Sequence, residues 1–242
     1  SLYYINKMSE INTETICTQR EGLGRMGAPY DSYSLGDINK VNLDQYKLFI
    51  FIESLLLTSE QRDIINKLKE SGKTILFIGP VDYAKSGIQS VEEMLNMKLA
   101  IEDELENTVI CKNTKYGYYN LKKDTFYVDD DVEILGRLEK SNKPVLCKKN
   151  NVFFSGIGNL DYKTLQEVLR YAGVHIYTTI GEGTYICNNF IGIHAPLHNK
   201  VTITLKEDGE YEEIFTGIKY TSINKEITLD TSINCAQMLM KL

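Results

Sequence analysis

Glu53, Gly79, Asp82 and Tyr83 stand just past two apolar runs, Leu48 to Ile52 and Ile75 to Ile78, and form the candidate ligand-binding set of this chain. Neither run alternates polar with apolar, so each suits a strand buried on both faces of a parallel sheet. Such sheets bind ligands beyond the carboxyl ends of their strands, which here are the loops Glu53–Leu57 and Gly79–Tyr83. Glu53 and Asp82 are also the one carboxylate pair that this arrangement draws together for glycosidic acid and base work.

Other chemistries find less support. A nucleophile elbow needs Cys or Ser on a sharp glycine-flanked turn from strand to helix, whereas the turn here reads Phe77-Ile78-Gly79-Pro80-Val81-Asp82. Cys17, Cys111, Cys147, Cys187 and Cys235 are odd in number and never spaced CxxC, which favours reduced thiols over zinc or disulfides. No phosphate-cradling glycine motif occurs; GIGN at 156–159 is too short to count. His175 and His194 lie in apolar, strand-like stretches and read as structural. Pro196 breaks any helical pairing of His194 with His198. Asp129–Asp131 lacks the alternating oxygen ligands and glycine turn of a calcium loop. No catalytic residue, metal or cofactor is assigned. Tyr116, Tyr118 and Tyr119 could stack on a sugar face, although packing is the commoner fate of tyrosine.

The elements that must position these residues follow from periodicity and punctuation. Thr58 with Gln61 has the spacing of a capping box, Ile64, Ile65 and Leu68 give the helix its stripe, and Gly72 stops it. Strand, helix and strand make a right-handed βαβ unit. Upstream, Leu2–Ile5 reads as a short strand and Asn12 or Thr13 caps a helix running to about Met26 with Gly27 as its stop. YDSYSLGDI reads as strand-like, and Asp31 and Asp37 as turn residues. Downstream, GIQSVEEMLN (87–96) reads as a helix with Ile88, Val91 and Leu95 at helical spacing, 100–128 mixes short strands with loop, and Val132–Leu138 is a strand. Pro144–Lys148 and Val152–Ser155 form a hairpin across KNN, and Asp161 caps a helix that Gly173 ends. From about Thr178 the helical pattern stops, and TYICNN, FIGIHA, VTITLK, EEIFTG, EITLD and AQMLMKL are short strands.

The expected architecture is therefore an α/β domain over residues 1–177, a flavodoxin-like parallel sheet with helices on both faces, followed by a small antiparallel β domain over 178–242. A net charge of −6 argues against a nucleic-acid groove, and no apolar run nears the ~20 residues of a membrane span. The opening SLYYINKMSE lacks a signal peptide's basic-then-apolar pattern, and a start at Ser1 suggests a piece of a longer protein.

Four stretches taken in order carry a resemblance: QREGLGRMGAPYDSYSLGDI, DQYKLFIFIESLLLTSEQRDIINKLKESGKTILFIGP, VEILGRLEKSNKPVLCKKNN and LQEVLRYAGVHIYTTIGEGTYICNNFIGIHA. Together they resemble the region that follows the catalytic barrel in microbial β-galactosidase-like glycoside hydrolases. That resemblance implies a class I glutamine-amidotransferase-like fold without its catalytic cysteine, serving as a trimerisation domain ahead of a small β domain. Its implied partners are the catalytic barrel of the parent protein and other copies of the parent. The family's catalytic glutamates belong to the barrel, so none transfers to this chain. The function expected is a non-catalytic accessory region acting in oligomer assembly and in shaping the parent's active-site cleft. Two alternatives remain: a small-molecule or carbohydrate-binding module using the sheet's carboxyl edge, and an amidotransferase-like enzyme of unrecognised chemistry.

Overall fold

The structure, a computed structural model, describes residues 13–102, 106–119, 125–232 and 234–242. The strand expected at Leu2–Ile5 lies outside them. At the start, a π-helical turn at Thr13–Cys17 leads into helix α1, Gln19–Arg25, with Met26 as its C-cap and Gly27 at φ +78°. The segment read as strand-like is not one: residues 29–34 have no regular structure and Leu35–Lys40 form a 3-10 helix. Ser34 explains the departure, because its hydroxyl accepts from the Gly36 amide and curls the backbone where a strand would extend.

Strand β1 (Leu48–Ile52), helix α2 (Ser59–Glu70) and β2 (Thr74–Ile78) form the βαβ unit, and β1 pairs with β2 in parallel. Thr58 Oγ1 accepts from the Gln61 amide while Gln61 Oε1 accepts from the Thr58 amide, so both halves of the capping box are made. Gly72, just past the last turn, has φ +78°. Because side chains alternate across a strand, Leu76 and Ile78 face one side of the sheet and Ile75 and Phe77 the other. The first side packs on Leu23 and Met26 around α1 and on Leu165, Val168 and Leu169. The second packs on Ile65 and Leu68 of α2 and on Val91 and Met94. Helices thus cover both faces, as the sequence suggested.

The remaining elements are α3 (Tyr83–Ser86), α4 (Ile88–Leu95), β3 (Leu99–Glu102), β4 (Thr108–Cys111), β5 (Thr114–Gly117), β6 (Thr125–Val128), β7 (Glu133–Leu138), β8 (Pro144–Lys149), β9 (Val152–Ser155) and α5 (Tyr162–Tyr171). Here the parallel-sheet expectation needs correcting. The seven-stranded sheet has the order β1-β2-β9-β8-β7-β4-β5, and its parallel pairings are β1 with β2 and β2 with β9. The other four strands are joined by antiparallel pairing. Chain economy gives the reason: β4 to β5 and β8 to β9 are linked by two residues each, Lys112-Asn113 and Asn150-Asn151, and two residues can close a hairpin but not a crossover. Lys112 and Asn150 take the positive φ angles, +51° and +54°, that such tight links require.

Beyond α5 the chain is all β, with β10 (Gly183–Cys187), β11 (Phe190–His194), β12 (Lys200–Thr204), β13 (Glu210–Glu213), β14 (Lys219–Thr221), β15 (Glu226–Asp230) and β16 (Ala236–Lys241). A five-stranded antiparallel sheet, β10-β11-β16-β13-β14, and the pair β12-β15 enclose a separate apolar cluster that includes Ile191, Ile193, Val201, Ile203, Leu229 and Leu239. Strand β14 had no sequence signal, since Lys219-Tyr220-Thr221 is too short to show a period. This β segment attaches to the end of α1: the Tyr177 amide donates to Gly27 O at 2.7 Å and Arg25 Nε to Gly181 O at 2.5 Å.

Candidate functional site

The loops after β1 and β2 are stitched to each other. The Asp82 amide donates to Ser54 O at 2.8 Å, the Ala84 amide to Leu55 O at 2.8 Å, and the Leu57 amide to Asp82 Oδ1 at 2.9 Å. Asp82 is fully buried, forms an ion pair with Arg62 of α2, and accepts Ser90 Oγ on its carbonyl at 2.8 Å. Its carboxylate is therefore committed to joining two loops and a helix. Glu53 is buried too, with φ +45°, an uncommon value for a residue carrying a Cβ. Its carboxylate lies over Gly79, where a Cβ would come within 2.6 Å of Glu53 Cδ. The fourth candidate, Tyr83, is part-exposed and packs edge-on against Phe126 at 5.4 Å between ring centroids. The structure thus gathers Glu53, Gly79 and Asp82 at one sheet edge, as residues that pack and brace it, with Tyr83 at the rim.

What covers that edge comes from the 100–128 stretch. Tyr118, 5% exposed, directs its hydroxyl to Glu53 Oε1 at 3.5 Å, and Gly158 lets its ring approach closely: a Cβ there would lie 3.2 Å from the ring. Tyr116, 6% exposed, hydrogen-bonds Ser155 Oγ at 3.0 Å. Of the three tyrosines considered for sugar stacking, only Tyr119 is exposed, at 73%. The alternation of β5 sends Tyr116 inward, and the loop turns Tyr118 after it. Among the described residues the buried cysteines supply no nucleophile at this edge. Cys111 and Cys147 lie in the two cores, where burial raises both thiols, that of Cys147 to about 12, so neither supplies thiolate near neutral pH.

These groups predict an alkaline weakness. Burial holds the hydroxyls of Tyr116 and Tyr118 well above 10.0, with Glu53 adding to the shift at Tyr118. In the unfolded chain thiols ionise near 9.0 and phenols near 10.0. Between those values and the raised folded ones the unfolded chain binds fewer protons, so stability is complete below pH 9 and falls as pH rises. Urea midpoints from pH 8 to 11 should decline from about pH 9, at up to ~1.4 kcal/mol per pH unit for each group titrating. A flat profile would contradict the burial of these four groups.

A third parallel strand opens where the first two are closed. Past the carboxyl end of β9, the loop 156–161 and the start of α5 border a cleft of about 280 Å³, whose other walls are α1 and the end of β5. Glu21, Arg25, Lys115, Tyr119, Asp161 and Tyr162 give it its chemical character. Sequence reasoning passed over it because GIGN fits no phosphate motif; the usable signal was Asp161 capping a helix directly after a strand, and Asp161 Oδ1 does accept from the Thr164 amide at 3.0 Å.

The histidines do not meet. His175 lies outside any strand, with Nε2 2.8 Å from Thr204 O. His194 ends β11, exposed. His198 Nδ1 is 2.6 Å from the buried Glu182 carboxylate, and together they tie the Pro196 turn to the start of β10. Among the described residues no group of three or more His, Cys, Asp or Glu could hold a metal ion, and no helix is long and apolar enough to cross a membrane.

No family model and no curated protein matches the sequence. Solved structures do match the fold. A GH42 β-galactosidase from G. stearothermophilus, Gan42B, superposes with a TM-score of 0.58 at 16% identity, over 93% of this chain and 36% of its own. An α-L-fucosidase isoenzyme 2 from Paenibacillus thiaminolyticus gives 0.60 at 12%, over 93% and 44%. The β-galactosidase of the psychrophilic Marinomonas ef1 gives 0.56 at 15%, over 93% and 33%. The chain thus spans between a third and a half of the length of these glycoside hydrolases, and shares its α/β-plus-β arrangement with that part of them.

Proposed function

We propose that this chain is a non-catalytic accessory region of a carbohydrate-active glycoside hydrolase, acting in oligomer assembly and in shaping the active-site cleft of its parent. The observation that carries the reading is the edge of β1 and β2. Where an amidotransferase-like fold would hold its nucleophile, the turn is Gly79-Pro80, and Glu53, Tyr116 and Tyr118 fill the space above it. A fold that keeps the sheet and fills the catalytic edge serves as a platform. Its likeness to segments of two β-galactosidases and a fucosidase supports the reading that its parent is such a hydrolase.

The β segment offers a surface suited to assembly. Cross-strand rows on the outer face of its five-stranded sheet run Tyr185, Gly192, Met238 and Cys187, Phe190, Met240, while the inner rows hold Ile191, Ile193 and Leu239. Tyr185 is 68% exposed, and Phe215, at the tip of the β13–β14 hairpin, 69%. Apolar, aromatic-rich faces of this kind mark interaction sites. Sedimentation velocity on the full chain should show concentration-dependent association that Tyr185→Asp with Phe215→Asp weakens at least tenfold, leaving the thermal midpoint unchanged because both side chains are exposed. Association unaffected by the pair, or a monomer at every concentration, would remove the assembly role. Neither glutamine nor an aryl galactoside should be turned over by the purified chain.

A further inference from the structure

We infer that the cleft past β9 is a binding site for a small neutral polyhydroxylated ligand, of the size of one sugar ring. The inference stands on the cleft itself and holds whether or not the chain belongs to a larger hydrolase.

Size sets the first limit. At about 280 Å³ the cleft lies at the small end of ligand pockets, which run from roughly 300 Å³ upward, so it suits a single ring better than an extended chain. Charge sets the second. Each cation at the cleft already has an anion: Arg25 Nη1 lies 3.0 Å from Glu21 Oε1, and Lys115 Nζ 2.5 Å from Glu139 Oε1. Asp161 spends Oδ1 on the first turn of α5, where the helix dipole favours its charge. A charged ligand that reached one partner of these pairs would also meet the other, of its own sign, so the cleft favours neither an anion nor a cation. A neutral one carrying vicinal hydroxyls can donate to Glu21 and accept from Arg25 or Lys115 while leaving the pairs in place.

Shape supplies the third argument. Tyr162 is fixed as a wall rather than a lid: the Arg25 guanidinium lies 5.5 Å from its ring centroid, and Gly181 is pressed so near the ring that no Cβ would fit. Arg25 is itself held by Glu21 and by Gly181 O, so its donors are pre-oriented. Tyr119 lines the same cleft, largely exposed, with its amide anchored on the buried Glu14 carboxylate at 2.9 Å. An exposed aromatic face next to a rigid, balanced set of donors and acceptors matches the alternating apolar faces and hydroxyl edges of a pyranose.

The test is protein-observed NMR on the full chain, titrated with methyl β-D-galactopyranoside, methyl α-D-glucopyranoside and methyl α-L-fucopyranoside, and with D-galacturonate as the charged control. Saturable shifts centred on Lys115, Tyr119 and Asp161 are expected with at least one neutral glycoside, at a Kd of about 1–10 mM. Galacturonate should bind at least tenfold more weakly. Tyr119→Ala and Glu21→Gln, both at exposed side chains, should each weaken binding fivefold or more without altering the thermal midpoint. Three results would overturn the inference: no saturable shift with any neutral glycoside, shifts that map to other residues, or affinity unchanged in both variants.

Discussion

Asp82→Asn will cost this protein about 3–5 kcal/mol of stability, the penalty for removing one partner of a buried ion pair. The pair joins α2, through Arg62, to the turn after β2, and Asp82 is wholly inaccessible to solvent. Arg62, itself mostly buried, keeps a second anion, Glu93, only at 3.6 Å, so the guanidinium would be left poorly compensated. Asparagine is the informative replacement. It tolerates the φ of +57° at this position and preserves an acceptor for the Leu57 amide, so the loss reports the charge. Asp82→Ala should lose more, since it removes that acceptor and places alanine in the left-handed region. Urea denaturation of both variants gives the comparison; a loss below about 1 kcal/mol for Asp82→Asn would show that the pair is solvated and that the two loops are held by their backbone bonds alone.

Gly27→Ala is expected to be comparably severe, by a different route. Gly27 has φ +78°, and an added Cβ would run into the carbonyl group of Thr178, which as backbone cannot swing aside. Left-handed alanine costs roughly 1–2 kcal/mol and overpacking a further 1–3 kcal/mol. The site matters because Gly27 O accepts from the Tyr177 amide, the link on which the β segment meets α1. Hydrogen exchange should therefore show protection lost first around residues 176–181, with β1, β2 and β9 affected least. Uniform loss across the chain would mean that the two apolar regions unfold as one unit.

Thr58 with Gln61, Asp161 and Gly72 were legible in the sequence because the interactions they make are local. A cap needs three residues and a helix stop needs one, so the physics is complete within a single turn. The same holds for the apolar runs of β1 and β2 and for the change to all-β structure after Thr178. The segment before β1 misled for an equally local reason: Tyr33 and Leu35 alternate as a strand would, but the hydroxyl of Ser34 bends the chain over Gly36. Strand direction was harder to read. Whether a sheet is parallel or mixed depends on which strands meet across it, and β9 is placed beside β2 by packing on both faces rather than by anything written in its four residues.

Glu53, Gly79 and Asp82 do come together at the edge of the sheet, because the βαβ unit, written in local periodicity and caps, fixes where two strands end. Their condition, buried and paired, came from long-range packing. Tyr118, 65 residues from Glu53 in the chain, closes over it, and Arg62 takes up Asp82. Whether a strand end is open or filled depends on residues arriving from distant segments. No local period or spacing encodes that arrival, because it follows from how the β4–β5 hairpin packs against the loop after β9. The cleft beside Tyr119 has the same origin: α1, β5 and α5 supply its walls from three separate parts of the chain, and the space between them exists only once all three are in place.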